Sequence, residues 1–364
     1  MEGRLDIGNS LRADSPAASM RSGAASMLRS PASVSDSAFP AGKPGDVEAH
    51  RNRELKWIST MTSTPPSQAR KSKKVRKLLQ DGVPASVRYQ VWAHLTDSKA
   101  KRIDGLYQQL GRRGKPSAFD DIARDARLCF TDQPQLIEAD GPLVSLLSAY
   151  LTMVPDIQYH RELALIAGQL LLQSPEEDAF WIFISLMDTH LRPYFATHAL
   201  QLEVDASLFA KAVEANDPSV AHKLFVTLNV SPIRLCRPWF AGMFVEALPN
   251  EYFQRVWDIF LSEGIVFLFR VGLALITCCR RPVLECKSDT QALEILLCPP
   301  SILLSSNPDT LVELANASKL KDDEVRKQRI KLEAQKKRAI ATTQGKMLTA
   351  PGNGRGPSIS LPRS

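Results

Sequence analysis

From Glu54 onward, apolar side chains recur three or four residues apart almost everywhere, as in Val87, Val91, Trp92 and Leu95, or Leu143, Leu146, Leu147 and Tyr150. An α-helix turns once in ~3.6 residues, so this spacing collects the apolar groups on one face, whereas a strand would alternate them. No stretch shows a convincing strand-like alternation. The fold class this predicts is all-α. Helix breaks are marked by Gly82 with Pro84, Pro134, Pro155, Ser174 with Pro175, Pro218, Pro232, Pro249 and Pro299, because proline cannot continue a helix and glycine weakens one.

One break illustrates the local logic. In "SPEEDAFWIF", Ser174 is the candidate N-cap, Pro175 fits the first helical position, and Glu176, Glu177 and Asp178 suit the positive end of the helix dipole. Phe180, Trp181 and Ile184 are then expected in the core. The apolar run "GIVFLFRVGLALITCC" (264 to 279) is short and carries Arg270, which predicts a buried core helix and not a membrane span. Beyond about Leu320, "KDDEVRKQRIKLEAQKKRAI" reads as a charged solvent helix with a thin stripe of Val325, Leu332 and Ala339.

The net charge of +7 is segregated along the chain. Residues 1 to 80 carry 14 basic and 7 acidic side chains, 81 to 315 carry 20 and 28, and 316 to 364 carry 12 and 4. A nucleic-acid-binding domain would be basic in its compact part; here the compact part is acidic, and no nucleic-acid partner is expected. The positive charge sits in flanks such as "ARKSKKVRK" (69 to 77), read as solvated arms, with an acidic membrane surface as their alternative partner. Residues 1 to 50, rich in Ser, Ala, Arg, Gly and Pro, read as a disordered leader, and the chain after Gly345 as a disordered tail. Neither a secretory signal nor a mitochondrial presequence is evident, so a cytoplasmic protein is expected.

Little points to small-molecule chemistry. The six cysteines form no CxxC pair and the six histidines form no HExxH, so reduced thiols and no bound metal are expected. There is no GxSxG, GxGxxG or glycine-rich phosphate loop. Asp120, Asp121 and Asp125 cluster; a helix start carrying the first two, with Asp125 paired to an arginine, explains them better than a divalent ion.

Several polar stretches together resemble the TBC domain, the helical family of GTPase-activating proteins for Rab GTPases. "LLQDGVPASVRYQVWAHL" is similar to the family's opening, with Arg88 and Trp92 in its Arg-x-x-x-Trp helix. Further on, "SPEEDAFW" looks like the acidic entry to an aromatic core helix. The series then runs through Trp239 and Phe240, Leu248 and Pro249, Arg255, Trp257 and Asp258, and Glu263 and Gly264. The resemblance covers about the central two thirds of the chain. It implies a domain of two helical lobes over residues 51–315, followed by the charged helix at 316–345 and the tail at 346–364. It also implies a Rab-type small GTPase as partner, with GTP and magnesium belonging to that partner and no cofactor of the chain's own.

The family is characterised by two catalytic fingers. An arginine ends an Ile-x-x-Asp-x-x-Arg motif and neutralises charge on the transferred phosphate; a glutamine in Gly-Tyr-x-Gln-Gly orients the attacking water. In "IARDARLCF", Ile122 and Asp125 fit, but Leu128 stands at the arginine position and Arg127 comes one place early. One residue turns a helix by about 100°, which aims Arg127 elsewhere, while Arg124 shares the Leu128 face about 6 Å along the axis. In "QYHRE", Tyr159 fits, Arg161 replaces the glutamine, and Gln158 and Glu162 replace the glycines. A guanidinium has no acceptor, so Arg161 cannot hold a water as the amide does, although it can bind phosphate oxygens. The leading expectation is a GTPase binder in vesicle trafficking, peripheral on endomembranes, with weak or absent catalysis. The alternatives are an active protein using Arg127 or Arg161 as a displaced finger, and a trafficking adaptor that no longer contacts a GTPase. Without a catalytic role, Leu128 is expected to be a core or interface residue and Arg161 to pair with a neighbour such as Asp156.

Overall fold

The proline and glycine breaks fall between helices or at their first turns. The structure, a computed structural model, describes residues 44–348 apart from 139 and 198, with side chains from 47 to 339. The expected disordered leader and tail lie outside these residues except at 44–50, which open the first helix, and 346–348, which close the last. The helices of nine residues or more are α1 (Pro44–Ser63), α2 (Lys73–Asp81), α3 (Arg88–Thr96), α4 (Phe119–Cys129), α5 (Pro142–Met153), α6 (Arg161–Gln173) and α7 (Glu176–Leu186). They continue as α8 (Gln201–Asn216), α9 (Asn250–Glu263), α10 (Ile265–Cys278), α11 (Asp289–Leu297), α12 (Pro308–Asn316) and α13 (Asp322–Leu348). Among the described residues there is no β-strand, only an isolated antiparallel bridge between Ile157 and Ala196.

One hydrophobic cluster runs through both halves of the fold. All five tryptophans, Trp57, Trp92, Trp181, Trp239 and Trp257, lie buried in it. In the C-terminal half, Phe240 stacks on Phe269 at 4.8 Å and Trp239 on Phe244 at 5.4 Å between ring centroids. Helix α10 sits in this core as expected, and its Arg270 is neutralised by Glu263, 3.0 Å away, and by Asp322. Among the described residues no helix is long and apolar enough to cross a membrane. Gly264 separates α9 from α10 at φ +80°, a conformation that side-chain-bearing residues rarely adopt.

Two arginines tie the halves together. Arg88 on α3 donates from Nε to Asp258 Oδ1 (3.3 Å) and from Nη1 to Gln254 (2.9 Å), both on α9, and Trp92 Nε1 donates to the same Asp258 oxygen at 2.7 Å. Arg255 donates to the carbonyls of Leu79 (2.7 Å) and Gln80 (2.8 Å) at the end of α2, and to Asp309, where the unpaired carbonyls of a helix C-terminus attract a cation. Burial pushes the Asp258 carboxyl up to about 6, against the pull of Arg88 and Trp92.

Three local expectations are corrected. Ser174 ends α6 and donates to Leu170 O, so Pro175 holds the N-cap position of α7 with no side-chain cap; Glu176, Glu177 and Asp178 do fill its first turn. The run 69 to 77 is not a loose arm: Ala69 is buried, and from Lys73 on the run lies in α2, which buries Val75, Leu78 and Leu79. Helix α13 is not simply a solvent helix. Val325 is buried, Leu332 packs on the core, and Arg329 forms a bidentate pair (2.7 and 2.9 Å) with the fully buried Asp205 of α8. Tyr194 and Gln201 also donate to Asp205, at 2.6 and 3.1 Å.

Candidate functional site

The two motifs named for the fingers meet in space. Helix α4 buries Ile122, Ala123 and Ala126, and its carboxyl-terminal turn carries Arg127, Leu128 and Cys129. The segment before α6 is fixed by backbone bonds to the 195–197 stretch, from Gln158 N to Phe195 O (2.9 Å) and from Thr197 N to Asp156 O (3.1 Å). Tyr159 Oη then donates to Asp125 Oδ2 at 3.0 Å, joining one motif to the other. Burial, reinforced by that carboxylate, pushes the Tyr159 hydroxyl above its usual range. Asp125 also accepts from Arg124 Nε (3.4 Å), while Arg124 Nη1 reaches Asp121 at 2.6 Å, the helical arrangement expected for the aspartate cluster. Below the joint, the Phe130 ring lies on Gly168 of α6, where an added Cβ would come within 2.2 Å of it.

The finger positions themselves hold other chemistry. Leu128 is neither core nor polar: it is 64% exposed. Arg127 is exposed and makes no ion pair among the described residues. Arg161, the first residue of α6, grips Glu246 with two guanidinium nitrogens, one of them at 3.0 Å. The anticipated partner Asp156 is instead taken by Arg192, at 2.9 and 3.0 Å. Cys129 lies beside Arg161; burial raises its thiol and the guanidinium opposes that rise. Glu162, where the family pattern has glycine, is mostly covered and faces Arg237 at 3.9 Å. The site therefore offers two arginines matched to carboxylates, Arg124 and Arg161, one exposed arginine without an ion pair among the described residues, Arg127, and one bare alkyl side chain.

Most of the remaining motif residues lie inside the fold. Ile122, Trp92, Trp239, Trp257 and Asp258 are buried, Arg88 serves the α3–α9 clamp, and Trp257 Nε1 donates to Met243 O at 2.9 Å. Sequence reasoning missed Glu246 and Cys129. Nothing near Glu246 in the chain announces its role, since it lies 85 residues from Arg161. No three His, Cys, Asp or Glu side chains among the described residues converge on a possible metal position.

The model of the Rab-GTPase-TBC domain matches residues 85–284. The chain belongs to the Rab-GTPase-TBC domain family. Mouse TBC1 domain family member 10A is 31% identical over 237 residues, 63% of this chain and 47% of that protein. Mouse Carabin is 31% identical over 232 residues, 62% of this chain and 52% of its own length. The chain thus spans about half the length of these curated relatives. Among solved structures, a Chlamydomonas flagellar RabGAP TBC domain superposes with a TM-score of 0.59 at 22% identity, covering 76% of this chain and 97% of its own. That likeness shows the TBC fold.

Proposed function

We propose that this TBC protein binds a Rab-type small GTPase in vesicle trafficking, in the cytoplasm and peripherally on endomembranes, and contributes little to GTP hydrolysis. The observation that carries this reading is the occupation of both finger positions: Leu128 has no donor, and Arg161 is committed to Glu246. A finger accelerates hydrolysis by placing unspent positive charge and a water-orienting amide against the phosphate. Neither is on offer at those positions. GTP and magnesium belong to the GTPase, and the basic tails are read as solvated arms, with an acidic membrane surface as their alternative partner.

One observation favours a second reading. Arg127 is exposed and unpaired among the described residues, one position from Leu128, and a partner that reshaped the end of α4 would find a cation there. Single-turnover GTP hydrolysis by a panel of Rab GTPases, with and without the full chain, separates the two. The proposal expects near-zero stimulation by the wild type and gain of activity in the double variant Leu128→Arg with Arg161→Gln. Wild-type stimulation of about a thousandfold, the scale of a working finger, rejects it. If Arg127→Ala then abolishes that activity, the displaced finger is identified.

A further inference from the structure

We propose that the outer faces of α1 and α2 form one docking surface for an anionic lipid bilayer, built into the folded domain and separate from the basic tails. Between residues 47 and 81 the chain carries nine basic and three acidic side chains, while the rest of the compact part is acidic. On α2 the buried side is Val75, Leu78 and Leu79, and the opposite side presents Lys73, Lys74, Arg76 and Lys77, all exposed. Arg76 feels the field of Glu263. The three lysines, and Lys71 just before the helix, make no ion pair among the described residues.

This arrangement works against the helix that bears it. Lys73 with Lys77 and Lys74 with Lys77 stand four and three residues apart, spacings at which like charges destabilise a helix. Lys73 and Lys74 occupy the first turn, where the macrodipole already disfavours a cation. A bound layer of negative charge relieves both penalties at once.

Helix α1 supplies the apolar half. Val47, Leu55 and Ile58 fall on one face of it and are 64%, 55% and 47% exposed, with Arg51 among them. The two helix faces meet at one edge, where Leu55 of α1 and Lys74 of α2 line one cleft of about 550 Å³. Of the α1 carboxylates, Glu54 is drawn to Ser86 and His50. Exposed aliphatic groups flanked by lysine and arginine match the acyl boundary and phosphate layer of a bilayer. Nucleic acid is a poorer match, since neither helix exposes a Phe, Tyr or Trp ring on which a base could stack.

The test is vesicle flotation of the full chain with phosphatidylcholine alone or mixed with phosphatidylserine. The expected result is binding to the mixed vesicles only, weakened about thirtyfold by Lys73→Gln with Lys77→Gln and at least about tenfold by Leu55→Ser with Ile58→Ser. All four positions are exposed, so circular dichroism should show unchanged folding. A chain beginning at residue 44 should bind as the full chain does. Equal binding to neutral vesicles, indifference to the lysine variant, or loss of binding without residues 1–43 overturns the proposal. So does polyglutamate binding that depends on the lysines and ignores the aliphatic variant, which assigns the face to an acidic protein.

Discussion

At Asp258 a carboxylate is buried between an arginine and an indole, and its titration is shifted accordingly. The folded pKa, about 6, exceeds the unfolded value of about 3.9, so between those values the folded chain keeps a proton that the unfolded chain releases. The group's contribution to stability is largest below about pH 4 and falls as the pH rises to about 6. Asp258→Asn should remove that fall, about 2–3 kcal/mol, in urea midpoints compared across the same range. Arg88→Ala should cost about 3 kcal/mol at neutral pH, because it strands a buried charge. The exposed Arg161–Glu246 pair is different in kind. With both side chains more than a third exposed, water screens them, and Arg161→Ala should shift stability by less than about 1 kcal/mol. The motif spacing located Arg161 at the site, but its partner was not legible: the nearby Asp156 looked available and is held by Arg192, whereas Glu246 arrives only through tertiary folding.

Helix α13 shows what periodicity can and cannot reveal about an element. Its stripe of Val325 and Leu332 was visible, yet so few apolar groups suggested a helix in solvent. What fastens it is Arg329, whose partner Asp205 lies 124 residues earlier and is fully buried. Arg329→Ala should therefore cost about 3 kcal/mol, against less than about 1 kcal/mol for Lys336→Ala, whose partner Glu203 is exposed; denaturant unfolding of the two variants decides it. The seam between α4 and α6 depends on steric fit in the same non-local way. A methyl group at Gly168 would collide with Phe130, so Gly168→Ala should destabilise the protein by about 1–3 kcal/mol. An unchanged melting temperature would show that Phe130 can swing clear.

On the scale of the whole molecule, the residues that made the family visible are those that lock its halves together. Arg88, Trp92, Arg255 and Asp258 span α2, α3 and α9, and a fold closed by such cross-links keeps its spacing in sequence even where the finger positions have changed. The same cross-links predict one cooperative unfolding transition, with calorimetric and van't Hoff enthalpies equal; two resolved transitions would mean that the lobes melt separately. The burial of all five tryptophans has an optical consequence. Their emission should be blue and should answer to unfolding, yet remain dark to anything that settles on the exterior. The bare alkyl group of Leu128 is thus a ready place for a reporter: in Leu128→Trp, one indole alone would face water, and its change of colour would register the arrival of a partner at the finger position while the native five stayed constant.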